Sequence, residues 1–237
     1  MLRRMGARPQ RIGAAAPPAA VGLAMAASLL LRTGALDAGY WIDEAISVGI
    51  ASHELVDIPR VLRQDGSPPL YYLLLHGWMQ VVGGGEAATR ALSLAFALLA
   101  VPVAWWAGCA AFDRRTGALA AAAAAGCPFL TYYAQETRMY ALVVVLSLLA
   151  CASFVLAFAR GRRRHVALLG VWLGALLYTH TWAVFLAAAM AVAWLGMWRA
   201  HKVAGRDGVL LSTAVVALYA PWVPTLLAQR CSRTDSG

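Results

Sequence analysis

Charge is scarce in this sequence. Asp, Glu, Lys and Arg make up 13% of its 237 residues, about half the roughly 25% of an ordinary soluble domain. Acidic residues are scarcest, 11 against 20 Lys and Arg. The four cysteines, Cys109, Cys127, Cys151 and Cys231, form no CxxC pair, so neither a disulfide framework nor a zinc site is implied. Short alternating strands are missing, which excludes a transmembrane barrel. No repeat is long enough to mark the duplicated halves of a transporter. What is abundant is apolar sequence, 61% of the residues, with a mean hydropathy of +0.65. Its stretches of about 20 residues define an all-α, polytopic membrane protein.

The formal net charge is +9, but the basic residues sit between apolar blocks. They are topology signals and not a nucleic-acid face. Arg3, Arg4, Arg8 and Arg11 precede an apolar segment that ends near Leu31. Such a start also fits a cleaved signal peptide, but the core is long and more spans follow, so an uncleaved first helix is expected. Further apolar blocks cover about 91–112, 118–134, 139–159, 166–198 and 209–227. The block 166–198 would be about 50 Å long as one helix, against a hydrocarbon core of about 30 Å. Basic residues bound it at both ends, so two short helices should meet near Thr179-His180-Thr181, in a turn buried in protein or lining a wet cavity. The count is about seven spans, with the N-terminus cytoplasmic and the C-terminus outside.

Four regions follow. Residues 1–36 hold the basic N-terminus and first helix, and 37–90 form an outer segment. Residues 91–229 make the helical bundle, and 230–237 a polar tail. Most acidic residues fall in the outer segment: Asp37, Asp43, Glu44, Glu54, Asp57, Asp65 and Glu86. Acids contribute little to orientation, so their placement points to chemistry on that face. Leu55, Ile58, Val61 and Leu62 recur at helical spacing, which predicts an interfacial amphipathic helix bent at Pro59. Pro68-Pro69 suits the start of a second helix. Its apolar run of about 13 residues is too short to span and belongs in the interface.

Three places can carry chemistry. Asp43 and Glu44 are paired carboxylates just past the first span. Their spacing fits the acidic first turn of a helix, and an acidic pair at an outer interface can also be a general base for a hydroxyl acceptor. Glu136 and Arg138 stand at the lip of the membrane. Their structural reading is an ion pair at a helix start, and their functional one gives Arg138 a phosphate, which its fork matches. His180, lone in an apolar block, is either a hydrogen-bonded core residue or a group facing a working cavity.

These residues sit in motifs that resemble a known family. Trp41-Ile42-Asp43-Glu44-Ala45 comes first, then Asp65-Gly66-Ser67-Pro68-Pro69-Leu70-Tyr71-Tyr72, then Gly85 to Arg90-Ala91-Leu92-Ser93. Tyr133-Ala134-Gln135-Glu136-Thr137-Arg138-Met139-Tyr140 closes the series. Their order resembles the family 39-like glycosyltransferases of the C-type superfold, relatives of the protein O-mannosyltransferases and lipid A aminoarabinose transferases. Where the family more often has histidine before Pro-Pro, this chain has Ser67.

The resemblance implies transfer of a sugar from a polyprenyl-phosphate donor to a hydroxyl of a lipid, glycan or protein acceptor. The transfer would occur on the outer face of the plasma (inner) membrane, with inversion. Asp43 would be the general base, and Glu44 would orient the acceptor or support that base. Arg138 would hold the leaving phosphate, oriented by Glu136. His180 would be a second phosphate or sugar contact, and Asp65 and Tyr71 are further candidate substrate contacts. Some relatives need a divalent metal and others do not. No convincing ligand set stands out here, and no cofactor is assigned. Because the family usually carries more spans, this chain is expected to be an incomplete transferase that a membrane partner would complete. The competing class is a non-catalytic subunit of the same fold that binds lipid-linked sugar or a partner protein. A transporter is disfavoured because its polar groups belong near mid-membrane.

Overall fold

The computed structural model describes residues 18–34, 36–201, 203 and 205–225. Cys231, the polar tail and the four N-terminal arginines lie outside the described residues. Among those described, all regular structure is helical. The elements are α1 (Pro18–Leu31), α2 (Ile42–Ala51), α3 (Ile58–Asp65), α4 (Leu70–Val82), α5 (Glu86–Ala111), α6 (Arg114–Ala125) and α7 (Pro128–Tyr133). There follow α8 (Tyr140–Phe154), running into a π-helical turn (Val155–Ala159), then α9 (Arg164–Leu177), α10 (Ala183–Arg199) and α11 (Gly205–Tyr219), with a 3₁₀ turn at Ala220–Trp222.

Among the described residues, three helical stretches are long and apolar enough to cross a membrane: Glu86–Ala111, Tyr140–Ala159 and Gly205–Thr225. Ala20–Leu31, α9 and α10 are apolar but shorter. The apolar block 166–198 is divided as its length demands, with a turn between Leu177 and Ala183.

Two expectations need correcting. The block 118–134 is not one helix, because α6 ends at Ala125 and α7 begins at Pro128. Proline has no N–H to continue a helix and disfavours helical backbone in the residue before it. Cys127 is extended accordingly (φ −69°, ψ 117°). The amphipathic helix is also shorter than its pattern. Pro59 sits in the first turn of α3 and starts that helix instead of bending it, and Leu55 stays outside it and exposed.

The bundle is built around α5, which packs on α6 and α8; α8 packs in turn on α9, and α9 on α11. The approach of α5 to α6 rests on two glycines. A Cβ on Gly108 would lie 2.7 Å from the Cα of Gly117. Small residues let helix backbones close up in this way where no hydrophobic effect drives them together. Arg32, fully buried after α1, donates to the Ala97 carbonyl at 2.9 Å, and to those of Ala124 at 2.7 Å and Ala125 at 3.2 Å. A cation thereby satisfies the orphan carbonyls at the end of α6, at the negative end of its dipole.

Candidate active site

The first turn of α2, the loop from Ala134 to Met139 and the start of α5 meet at one end of the bundle. Trp41, extended before α2, donates its N–H to Glu44 Oε2 at 3.4 Å. The same carboxylate accepts from the Thr137 N–H at 2.8 Å and from Arg90, at 2.9 Å from Nε and 2.6 Å from Nη2. Arg90 also donates to the carbonyls of Leu36 (2.9 Å), Ala38 and Gly39 (3.2 Å). Glu44 and Arg90 are both almost wholly buried. Burial opposes the Glu44 charge, but Arg90 and the Thr137 N–H outweigh it and hold the carboxyl below the usual range.

This pair places Asp43, which points outward with its side chain 44% exposed. Arg138 reaches it from the loop. Nη1 donates to the Asp43 carbonyl at 3.3 Å, and Nη2 stands 3.9 Å from Oδ2. The guanidinium also lies 5.7 Å from the centre of the Tyr140 ring. The loop itself is held from behind. Thr137 Oγ1 pairs with Thr89 at 3.0 Å, and Ser93 Oγ donates to the Arg138 carbonyl at 3.1 Å. Tyr71, buried in α4, contacts Ser93 through its hydroxyl at 3.1 Å. Tyr71 therefore stands behind Arg138 and not on an open surface.

Glu136 is 8% exposed. Burial raises its carboxyl above the usual range, Tyr132 counters with a hydrogen bond, and the charge of Glu44 raises it further. The main-chain carbonyl of Glu136 accepts from the Arg138 N–H at 2.8 Å. Its side chain is engaged by Tyr132, while the Arg138 side chain turns to Asp43. His180, in the turn after α9, accepts the Trp182 N–H at Nδ1 (3.1 Å) and lies 5.8 Å ring to ring from Tyr140. The α4 start is tied to the same turn by the Leu70 N–H on the Tyr178 carbonyl (2.8 Å).

The structure thus gathers Asp43, Glu44, Glu136, Arg138, Tyr71 and His180 at one end of the bundle. Asp65 closes α3, but its side chain lies outside the described ones. Among the described residues no group of three or more His, Cys, Asp or Glu is placed to hold a metal.

The dolichyl-phosphate-mannose-protein mannosyltransferase family model matches residues 66–224, about two thirds of the chain. The chain belongs to that family. It is accordingly a polytopic membrane protein of a glycosyltransferase family. The family match takes in Tyr71, Arg90, Glu136, Arg138 and His180, and it begins after Asp43, Glu44 and Asp65. No curated protein matches the chain.

Arg90, quoted in the sequence only as part of the Gly85–Ser93 motif and given no role there, is the buried partner of Glu44. It was legible as an anomaly: an arginine heading an apolar span, where charge is rare. A charge in that position demands a buried partner, but nothing local says that the partner is Glu44.

Proposed function

We propose that this chain transfers a sugar from a polyprenyl-phosphate donor to a hydroxyl acceptor on the outer face of the membrane, with inversion. The observation that supports this most is the meeting of a half-exposed Asp43 with the guanidinium of Arg138 at 3.9 Å. In the resting arrangement these two are each other's counter-ion. A donor phosphate would take the place of Asp43 on Arg138, matching its fork. The Asp43 carboxylate is then released to accept a proton.

The chemistry follows. The acceptor oxygen attacks the anomeric carbon from the face opposite the phosphate. The new C–O bond forms as the bond to the phosphate oxygen breaks, and the electron pair leaves with the polyprenyl phosphate. Asp43 takes the acceptor proton. Arg138 stabilises charge that grows on the leaving oxygen. The sugar must lie between base and leaving group, so the 3.9 Å contact has to open when donor binds. Glu44 does not touch reactants in this scheme; pinned by Arg90, it positions Asp43.

A second reading has its own observation. Arg138 also bonds the main-chain carbonyl of Asp43, as a structural staple would, and a non-catalytic subunit of this fold needs no more. Release of polyprenyl phosphate from a panel of lipid-linked sugars, with the chain in detergent, separates the two. Asp43→Asn should lower turnover by about 10² or more while donor affinity holds. Arg138→Ala should weaken donor binding, and Arg138→Lys should restore it in part. An Arg138→Ala variant with wild-type donor affinity would reduce that contact to a staple, an Asp43→Asn variant with wild-type turnover would remove Asp43 from the chemistry, and no release from any donor would leave the non-catalytic reading.

A further inference from the structure

A large cavity lies away from Asp43. It lies at the far end of α5 and α8, where its lining residues Trp105 to Ala110 stand about 22–30 Å along α5 from Arg90. Its volume is about 780 Å³, and its rim carries Arg114, Arg115, Arg160, Arg162 and Arg164, with Asp113 the one acidic residue lining it among those described. Arg160 is anchored to the Ala111 carbonyl at 2.9 Å, which fixes part of that rim. Its inner wall is apolar and aromatic, with Trp105, Trp106 and Leu156.

A buried histidine also lies in the wall of this chamber. His165 lines it at 4% exposure, and among the described residues neither of its ring nitrogens has a hydrogen-bond partner. The Trp105 Nε1–H beside it is likewise unsatisfied. A buried polar group without a partner is costly, and three such atoms around one cavity mark a place where a ligand supplies the missing bonds. The segment leading into the rim is the π-helical turn Val155–Ala159, a distortion that recurs at functional sites.

A second cavity adjoins the first at Trp106. It measures about 350 Å³ and is lined by Leu99, Pro102, Val103, Leu149, Leu168 and Trp172 among others, residues of α5, α8 and α9. A basic chamber opening on an apolar groove along membrane-length helices has the two-part shape of a lipid. A free phosphate would have no use for the groove.

We infer that these cavities bind an anionic phospholipid at the basic end of the bundle, its phosphodiester among the arginines and beside His165 and its acyl chain along the groove past Trp106. Basic pockets between membrane helices recognise such headgroups, each arginine adding to the attraction. The site is separate from Asp43 and Arg138 and does not depend on sugar transfer.

Native mass spectrometry tests this on the full chain, released from micelles holding equal dioleoylphosphatidylglycerol and dioleoylphosphatidylcholine. Phosphatidylglycerol should be retained preferentially. The double variant Arg162→Gln/Arg164→Gln should lower its retention by about tenfold or more. Arg199→Gln/Arg206→Gln, equal in charge but outside the chamber, should leave it unchanged. His165→Phe should lower phosphatidylglycerol retention without touching phosphatidylcholine. These arginines are exposed, so the variants should melt as wild type does. Equal retention of both lipids, or an equal loss in the two double variants, would overturn the site. Inorganic phosphate protecting the fold from heat as well as phosphatidylglycerol does would overturn the lipid assignment.

Discussion

Glu44 and Arg90 form an ion pair at 2.6 Å with side chains only 2% and 3% exposed. Forty-six residues of sequence separate them. Through that pair the α2 start, the Leu36–Gly39 turn and the Thr137 amide are held as one unit, and Asp43 is the residue the unit presents outward.

Breaking this pair should unfold the site before it touches chemistry. Arg90→Ala and Glu44→Ala should each cost about 3–5 kcal/mol, because each leaves a buried charge alone. The double variant should cost clearly less than the two together. Thermal unfolding in detergent measures this, and strictly additive losses would show that the two side chains are not coupled.

Glu136 and Glu44 should move stability in opposite directions with pH. A carboxyl lowered in the fold, as Glu44 is, contributes fully above the ordinary carboxylate value and loses its contribution as pH falls through the lowered one. Glu136 is raised, so its contribution is present in acid and fades as pH rises from the ordinary value through the raised one. Glu136→Gln should flatten that second slope in a series of melting curves across pH 4 to 8 (roughly the window carboxylates and their raised forms span). A slope unchanged by the substitution would assign it to another group.

The α5–α6 contact should reject any side chain at Gly117. A Cβ there would stand 2.8 Å from the Trp105 carbonyl oxygen and closer still to the Cys109 sulfur. Gly117→Ala should therefore destabilise by about 1–3 kcal/mol, despite the higher helix propensity of alanine. A melting temperature at or above wild type would mean that the two helices part easily.

Topology can be read by labelling. On a cysteine-free background, probes at the exposed positions Arg63 and Tyr132 should react from outside intact cells. Probes at Arg115 and Arg162 should react only after permeabilisation, as the basic loops require. External labelling at position 162 would reverse the orientation and the site assignment with it.

The sequence by itself determined what is local. Apolar content and run length made the chain a helical membrane protein, and a block of 33 apolar-dominated positions between basic ends had to fold back, as it does between Leu177 and Ala183. The acidic pair near α2 and the Glu136–Arg138 lip were legible because carboxylates and arginines are rare in apolar sequence and cannot stand there without a reason. Local reading failed where proline decided boundaries, at Pro59 and Pro128, since hydropathy takes no account of a missing N–H.

Only the tertiary structure decided who meets whom. Asp43 and Arg138 are 95 residues apart, and whether Arg138 faces Asp43 or Glu136 depends on how α2 docks against the loop before α8. The buried Arg32 on the end of α6, and His165 without a hydrogen-bond partner among the described residues, are equally long-range results. A sequence states the periodicity that builds each helix, because that depends on neighbours a few residues away. The pairing of charges across helices follows from which faces pack, and in this bundle from how closely Gly108 and Gly117 let two backbones approach.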